Sequence, residues 1–249
     1  MLCAGNDKVY TFIDDILGEI MELFPSEYIH VGGDECPKVR WESCPKCQAK
    51  IKELGYQTDD QSTKEQKLQS YVTHHVDDFI TSRGRKLIGW DEILEGGASP
   101  NAVIMSWRGV DGALKAAPLG HDVIMTPNNF CYFDYRQSDD PGEPHPVGLL
   151  LDFATAYSLD PQLPQLTEEQ KKHILGVQAN IWTEWIVDFP DVQYMALPRF
   201  AALAENQWSA APKDLDGLMR RMPQMLDQYR ANGYSFAPHI LSDPRVAGK

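Results

Sequence analysis

Apolar residues recur every three or four positions along several stretches of the chain, and this spacing predicts amphipathic helices. Each of the two longest such stretches ends at a residue that stops helices, Pro25 after the first and Gly84 after the second. Three shorter stretches with the same spacing lie nearer the middle and the end of the chain. The five predicted helices cover residues 9–24, 62–83, 109–117, 192–205 and 215–229.

Short, nearly continuous apolar runs lie between these helices and predict buried strands. Five such runs occur, at residues 28–31, 86–89, 102–106, 122–125 and 175–181. Strands that alternate with helices are typical of parallel βαβ units, so the fold class is expected to be α/β. The stretch 128–166 is rich in Pro, Asp and Gly and is too long for an ordinary connection, which predicts a functional loop.

Composition limits the possible partners. The 249 residues include 23 basic and 36 acidic side chains, a formal charge of −13. A chain this acidic is a poor match for nucleic acid or an anionic membrane surface. It has no apolar run near the length of a membrane span and no visible targeting segment. The length and the 43% hydrophobic content predict one folded domain over residues 1–249.

Aromatic and acidic residues follow every predicted strand. In parallel α/β folds the reacting groups stand at the carboxyl ends of the strands, so these residues are expected to form a site. Flat rings and carboxylates together suit a sugar, whose hydroxyls and C–H faces they can bind. The alternative interpretation is an aromatic core with solvated loop acids. The groups are Asp34 and Glu35; Trp90, Asp91 and Glu92; Trp107 and Arg108; Tyr132 and Asp134; and Trp182 and Glu184.

Two adjacent acid pairs, Asp34–Glu35 and Asp91–Glu92, could each carry the chemistry. The first is favoured because Gly32 and Gly33 permit a tight backbone before it. The apolar strand that precedes it is expected to bury Glu35, which suits a general acid working at neutral pH. The second pair could instead open a helix, where acids suit the helix dipole.

The segment His30-Val31-Gly32-Gly33-Asp34-Glu35 resembles the catalytic strand of glycoside hydrolase family 20, the β-N-acetylhexosaminidases. The resemblance continues in order through nearly the whole chain, at residues 89–92, 106–107, 132–134, 176–184 and 198–205. It implies a TIM (β/α)₈ barrel, of which this chain would hold about strands 4 to 8 with their helices. Residues 2–7 look like the exit from the third strand.

The resemblance also implies an activity, retaining exo-hydrolysis of terminal β-linked GlcNAc or GalNAc, with no cofactor. The substrate's own acetamide would attack the anomeric carbon and form an oxazolinium intermediate, because this family is an exception to the two-carboxylate scheme. Glu35 would be the acid and then the base. Asp34 would orient the acetamide, and Tyr132 would hydrogen-bond its carbonyl oxygen.

Five further residues would bind the sugar by the same resemblance. Trp90 and Trp107 would wall the acetamide pocket, Trp182 would stack beneath the ring, and Asp134 and Glu184 would bind the 4- and 6-hydroxyls. The family's arginine for the 3- and 4-hydroxyls cannot be placed in this sequence, so a sugar-binding fragment with weak or no turnover is the alternative function.

The open edge of such a partial barrel predicts self-association, with a homodimer completing it. Members of the family are commonly exported, and this association alone suggests a periplasmic or extracellular location. The preference between GlcNAc and GalNAc stays open.

Five cysteines do not form an evident disulfide framework. Cys36, Cys44 and Cys47 are close enough in sequence to suggest a zinc site, with His74 or His75 as a fourth ligand. Free thiols are the preferred interpretation, and zinc or a disulfide are the alternatives. His30, inside an apolar strand, is expected to be a core residue.

Overall fold

Five strands form one sheet whose spatial order, β1-β2-β3-β4-β5, is also their order along the chain. The computed structural model describes residues 1–145 and 147–247. The strands are β1 (Tyr28–His30), β2 (Lys86–Trp90), β3 (Val103–Ser106), β4 (Val123–Met125) and β5 (Ile174–Val177). β1 pairs with β2 in parallel, with Ile29 opposite Leu87, and β2 pairs with β3 in the same sense. The predicted α/β class is confirmed, and β1 is an edge strand among the described residues.

Helices connect the strands. They are α1 (Asp7–Leu23), α2 (Val39–Ser43), α3 (Pro45–Glu53), α4 (Lys64–Ser82), α5 (Asp111–Ala116), α6 (Asn128–Cys131), α7 (Phe153–Ser158), α8 (Glu168–Lys171), α9 (Phe189–Ala196), α10 (Arg199–Trp208) and α11 (Leu215–Ala231). One turn of 3₁₀ helix, Asp91–Leu94, follows β2 directly. Within the described residues no helix is both long and apolar enough to cross a membrane.

The chain separates into two compact units. The first holds Met1–Ile124 and Gln165–Leu175, and the second holds the described residues from Met125 to Pro164 and from Gly176 onwards. Each unit has a hydrophobic core of its own. The expectation of one domain over residues 1–249 stays a prediction.

In the first unit α4 shows why its segment folds as a helix. Thr63 and Gln66 form a capping box at its start, which pairs backbone N–H groups that the helix would otherwise leave unbonded. Leu68 and Ile80 on its inner face are completely buried, as are Leu87 and Ile104 of the sheet. Burial of side chains this large contributes about 2 kcal/mol each.

Helix α1 differs from α4 because most of its apolar face is uncovered. Met21 is its one buried residue, whereas Phe12 is 53% and Leu23 is 67% exposed. The predicted amphipathic helix is therefore present, and its apolar side is open to solvent in the first unit.

The second unit corrects two predictions. The stretch expected to be a long loop contains α6 and α7, and Leu151 and Phe153 lie in the core of this unit. The helix predicted over 192–205 is two helices, because Pro198 interrupts it with a cis peptide bond after Leu197. Proline lacks a backbone N–H and cannot continue the helical hydrogen bonds.

Candidate functional site

The loop that leaves β1 depends on two glycines. Gly32 and Gly33 have φ angles of +75° and +95°, a backbone region that other residues rarely adopt. A Cβ atom on Gly33 would lie 2.4 Å from Cγ2 of Ile93, which is closer than atoms can pack. The side-chain amide of Gln69 donates to the Gly33 carbonyl at 2.7 Å. The loop is therefore held between the 3₁₀ turn and α4.

Asp34 and Glu35, at the end of this loop, are both exposed. The expectation that the strand buries Glu35 is wrong. β1 has one neighbouring strand among the described residues, so its other side offers no strand to cover Glu35, whose backbone φ is +44°. The two residues help to line a cavity of about 1070 Å³, whose other walls include apolar side chains of α1 and α4.

The second acid pair is buried and fully engaged. Oδ2 of Asp91 accepts hydrogen bonds from the backbone N–H groups of Trp107 and Arg108, at 3.0 and 3.2 Å, and Oδ1 accepts from Arg108 Nε at 2.6 Å. Oε2 of Glu92 accepts from Trp107 Nε1 at 2.9 Å. Burial raises the pKa of Glu92. Asp91 and Glu92 thus position the residues after β3, and Asp34 and Glu35 are the pair that faces open space.

Trp90 and His30 lie side by side at the ends of β2 and β1. Trp90 is 9% exposed and packs with Val103 in a small apolar cluster. The ring centroids of His30 and Trp90 are 4.8 Å apart, edge to face. His30 is exposed, contrary to expectation, and its Nδ1 accepts from the Gly32 N–H at 3.1 Å. The imidazole therefore supports the glycine loop instead of filling the core.

In the second unit, Tyr132 is held beside the segment that follows β5. Phe133 N–H donates to the Asn180 carbonyl at 2.7 Å, and Asn180 N–H donates to Cys131 at 2.8 Å, so pairing continues beyond the strands. This pairing places the rings of Tyr132 and Trp182 with centroids 6.0 Å apart. Tyr132 is buried, and burial raises its pKa. Trp182 is 40% exposed, which leaves part of its surface available for stacking.

Asp134 is a buried carboxylate without an evident protein partner. It is 2% exposed, and neither side-chain oxygen has a hydrogen bond of ordinary geometry among the described residues. Burial, with a smaller repulsion from Glu184, raises the pKa of Asp134 to about 6. Glu184 itself is exposed. The backbone N–H groups of Asp134 itself and of Trp182 partly offset this shift. A ligand hydroxyl would add a donor to this carboxylate.

Arg199 fixes the backbone around Asp134. It is completely buried and donates to the carbonyls of Tyr135 and Leu151, at 3.0 and 2.9 Å, and to those of Phe133 and Met195. Its guanidinium also lies over the Phe133 ring, 4.7 Å from the centroid. Burial lowers the pKa of Arg199.

The predicted site residues divide between the units. The first unit holds Asp34, Glu35, Trp90 and Trp107, and the second holds Tyr132, Asp134, Trp182 and Glu184. Three supporting residues were not predicted, namely Gln69, Arg108 as a partner of buried acids, and Arg199. Arg108 was named after the third predicted strand and Arg199 lies in the resemblance segment 198–205, but neither was given a role, and Gln69 had no signal at all.

The cysteines group differently from the prediction. The sulfur atoms of Cys3, Cys44 and Cys47 lie within 4.8 Å of one another. Cys36 lies outside this group, and its Sγ is 3.3 Å from Sδ of Met1. His75 is engaged with Asp14 at 2.9 Å, and His74 is exposed. Cys3, which is distant in sequence, replaces Cys36 because the segment before α1 packs against the start of α3.

Comparison with known proteins gives consistent results. The model of the glycosyl hydrolase family 20 catalytic domain matches residues 1–211. The chain is 39% identical over 244 residues to a β-hexosaminidase of Porphyromonas gingivalis, covering 97% of this chain and 31% of that protein. It is 36% identical over 213 residues to a β-hexosaminidase of Vibrio furnissii, covering 82% of this chain and 33% of that protein.

Two solved structures show the fold. An exo-β-N-acetylglucosaminidase of Vibrio harveyi in complex with N-acetylglucosamine superposes with a TM-score of 0.85 at 31% identity, covering 95% of this chain and 37% of that one. A β-N-acetylhexosaminidase of Bacteroides fragilis superposes with a TM-score of 0.80 at 28% identity, covering 96% of this chain and 48% of that one. The five strands and their helices are thus part of a (β/α)₈ barrel. The chain spans about a third of the length of the curated relatives it matches.

Proposed function

The chain belongs to glycosyl hydrolase family 20, and from that premise we propose that it supplies the catalytic acid for retaining exo-hydrolysis of terminal β-linked N-acetylhexosamine. The observation that carries the proposal is the difference between the two acid pairs. Asp91 and Glu92 are occupied by Trp107 and Arg108, whereas Asp34 and Glu35 border an open cavity. A general acid must reach the glycosidic oxygen, so Glu35 is the better candidate.

In the proposed reaction the acetamide oxygen of the substrate attacks the anomeric carbon while Glu35 gives its proton to the leaving oxygen. The bond from the anomeric carbon to the leaving oxygen breaks, and an oxazolinium forms. Glu35, now a carboxylate, then takes a proton from the water that attacks the same carbon, and the bond from that carbon to the acetamide oxygen breaks, which restores the acetamide. Asp34 orients the acetamide N–H and stabilises the positive charge that develops there. Two displacements at one carbon retain its configuration.

The remaining residues have proposed binding roles. Tyr132 donates its hydroxyl hydrogen to the acetamide carbonyl oxygen. Trp90 and Trp107 wall the acetamide, and the exposed face of Trp182 stacks on the sugar ring. Asp134 and Glu184 accept hydrogen bonds from the 4- and 6-hydroxyls, which would give the buried carboxylate of Asp134 a hydroxyl donor.

Hydrolysis of 4-nitrophenyl N-acetyl-β-glucosaminide tests the proposal. Glu35→Gln is expected to reduce kcat at least a hundredfold, because general acid catalysis commonly contributes that much. Glu42→Gln is a matched control, since Glu42 is exposed and does not line the cavity. The corresponding β-glucoside should not be cleaved because it has no acetamide. Equal loss of activity in both variants, or none in either, would refute the role of Glu35.

A sugar-binding chain without turnover is the second candidate, and the exposure of Asp34 and Glu35 favours it. Water around these carboxylates weakens their interaction with a developing cation. A thiazoline analogue of the intermediate distinguishes the two. Binding of this analogue without hydrolysis of the glycoside supports the second candidate, and hydrolysis that depends on Glu35 supports the first.

We also propose a homodimer that completes the partial barrel at the sheet edge formed by β1. Phe12, Ile16 and Leu23 of α1, the helix that precedes β1, are exposed as well, and surfaces of this kind commonly mark association sites. Light scattering of the purified chain is expected to give a dimer mass, and Phe12→Ser with Ile16→Ser to give a monomer. A monodisperse monomer of the parent chain would disprove the dimer.

A further inference from the structure

Three thiols converge at the point where the segment before α1 meets the start of α3. Sγ of Cys3 lies 3.6 Å from that of Cys44 and 3.7 Å from that of Cys47. Cys47 is completely buried, whereas Cys3 and Cys44 are half-buried. The proposed reaction uses none of them.

The sulfur separations match those around a tetrahedral metal ion. Zinc binds thiolate sulfur at about 2.3 Å, so the edge of a tetrahedron of such bonds is about 3.8 Å. A disulfide requires sulfur atoms about 2.05 Å apart and joins two cysteines, which leaves one thiol over. Two sulfur–sulfur distances close to this edge, with the third pair within 4.8 Å, fit a shared ion better than one disulfide bond.

Backbone N–H groups are directed at one sulfur of this cluster. Cys44 is the N-cap of the nine-residue helix α3, and Pro45 occupies the first position of that helix. The backbone N–H of Cys47 bonds the Cys44 sulfur, and that of Lys46 does so more weakly. The start of α3 therefore holds the Cys44 side chain in place beside Cys47.

Gly5 permits the close approach of the two segments. A Cβ atom at this position would lie 2.1 Å from the carbonyl oxygen of Lys46. Its backbone N–H also bonds the Cys47 sulfur. The main chain is thus shaped to bring Cys3 to the cysteine pair of α3.

We propose that Cys3, Cys44 and Cys47 bind one zinc ion, with a solvent molecule as the fourth ligand. Solvent can reach the fourth position because Cys3 and Cys44 are partly exposed. The ion would tie the segment before α1 to α3. Trp41, whose Nε1 donates to the Leu2 carbonyl at 2.9 Å, lies between these segments and lines the cavity next to Glu35. The zinc therefore has a positioning role for the cavity wall.

Elemental analysis of the untagged, purified chain tests the proposal independently of any activity. We expect about one zinc per chain in the parent protein. Cys3→Ser and Cys44→Ser should each reduce zinc affinity at least tenfold. Cys36→Ser is the matched control, because this cysteine lies outside the group and should retain the ion. Absence of zinc after growth with added zinc, or its loss from Cys36→Ser, would overturn the proposal.

A titration of the metal-free, reduced parent chain with Co²⁺ covers the case in which the variants do not fold. Coordination by three thiolates should give intense sulfur-to-cobalt charge-transfer absorption and tetrahedral visible bands, both saturating at one equivalent and displaced by Zn²⁺. Weak octahedral absorption alone would overturn the proposal. A mass 2 Da below the reduced chain, without bound metal in the protein as purified, would assign a disulfide instead.

Discussion

The indole N–H of Trp107 donates to Oε2 of Glu92 across 2.9 Å, and so joins the residue after β3 to the turn after β2. Asp91 strengthens this link by accepting the backbone N–H groups of Trp107 and Arg108. The buried carboxylate pair Asp91–Glu92 thus sets the direction of an aromatic side chain. The position of Trp107 is determined before any ligand binds.

Removal of the Glu92 carboxylate should destabilise the chain. Glu92→Ala takes the acceptor from the indole N–H and is expected to lower the free energy of unfolding by about 2 kcal/mol, within the range for buried hydrogen bonds. Glu92→Gln keeps an oxygen that can accept and should lower it by less than about 1 kcal/mol. Urea denaturation measures both. Equal effects of the two variants would mean that the hydrogen bond contributes little.

The five strands could be predicted from sequence because each is a short apolar run between helical segments. The exposure of Glu35 could not be predicted, since it depends on which strands flank β1 and not on β1 itself. Helices α2 and α3 are short and contain few apolar residues, so their spacing gave no signal. The hydrogen bonds that Asp91 and Glu92 accept from Trp107 and Arg108 could not be predicted either, because they depend on where the residues after β3 lie in space.

Gly33→Ala tests the loop that precedes Asp34. The new methyl group would overlap Ile93 and the φ angle of +95° would be strained, so we expect a loss of about 3 kcal/mol in the free energy of unfolding. Gly109→Ala is the control, because its φ is +75° but no atom lies within 4 Å of the added Cβ. It should lose only about 1 kcal/mol.

A double variant separates the two causes. Combined with Ile93→Ala, the Gly33→Ala change should destabilise the chain by less than the sum of the single changes, because the overlap is relieved and the strain stays. Chemical denaturation of all four proteins gives the coupling free energy. Strict additivity would show that contact with Ile93 is unimportant.

Arg199 should be one of the most sensitive positions in the second unit. In Arg199→Lys a single ammonium takes the place of the planar guanidinium, which donates to four carbonyls. This change should lower the free energy of unfolding by more than about 3 kcal/mol. Arg221→Ala, which breaks an ion pair of half-exposed Arg221 with Glu205, should change it by less than about 1 kcal/mol. Similar losses for both would contradict a special role for Arg199.

The sequence could not have shown which of Arg199 and Arg221 contributes more to the free energy of unfolding. Both lie in predicted helices, and both have apolar neighbours in the sequence. They differ in tertiary position, because three of the four carbonyls bonded by Arg199 come from the segment 133–151, which was expected to be a loop. A residue whose partners lie in irregular backbone leaves no periodic signal.

The buried carboxyl of Asp134 should make stability depend on pH. Its pKa is raised from 3.8 to about 6, so the folded chain holds this proton more tightly than the unfolded chain does. Stability is therefore lost as the pH rises from about 4 to about 6. The difference between the two pKa values corresponds to about 3 kcal/mol once the group is ionised.

Asp134→Asn removes this dependence because the amide is neutral throughout. The variant should be more stable than the parent chain by up to about 3 kcal/mol at pH 7.5, and the two should converge near pH 4. Asp139→Asn is the control, since Asp139 is exposed, and it should follow the parent at both pH values. Urea denaturation at the two pH values measures the effect. A constant difference between Asp134→Asn and the parent would show that ionisation of Asp134 is not its cause.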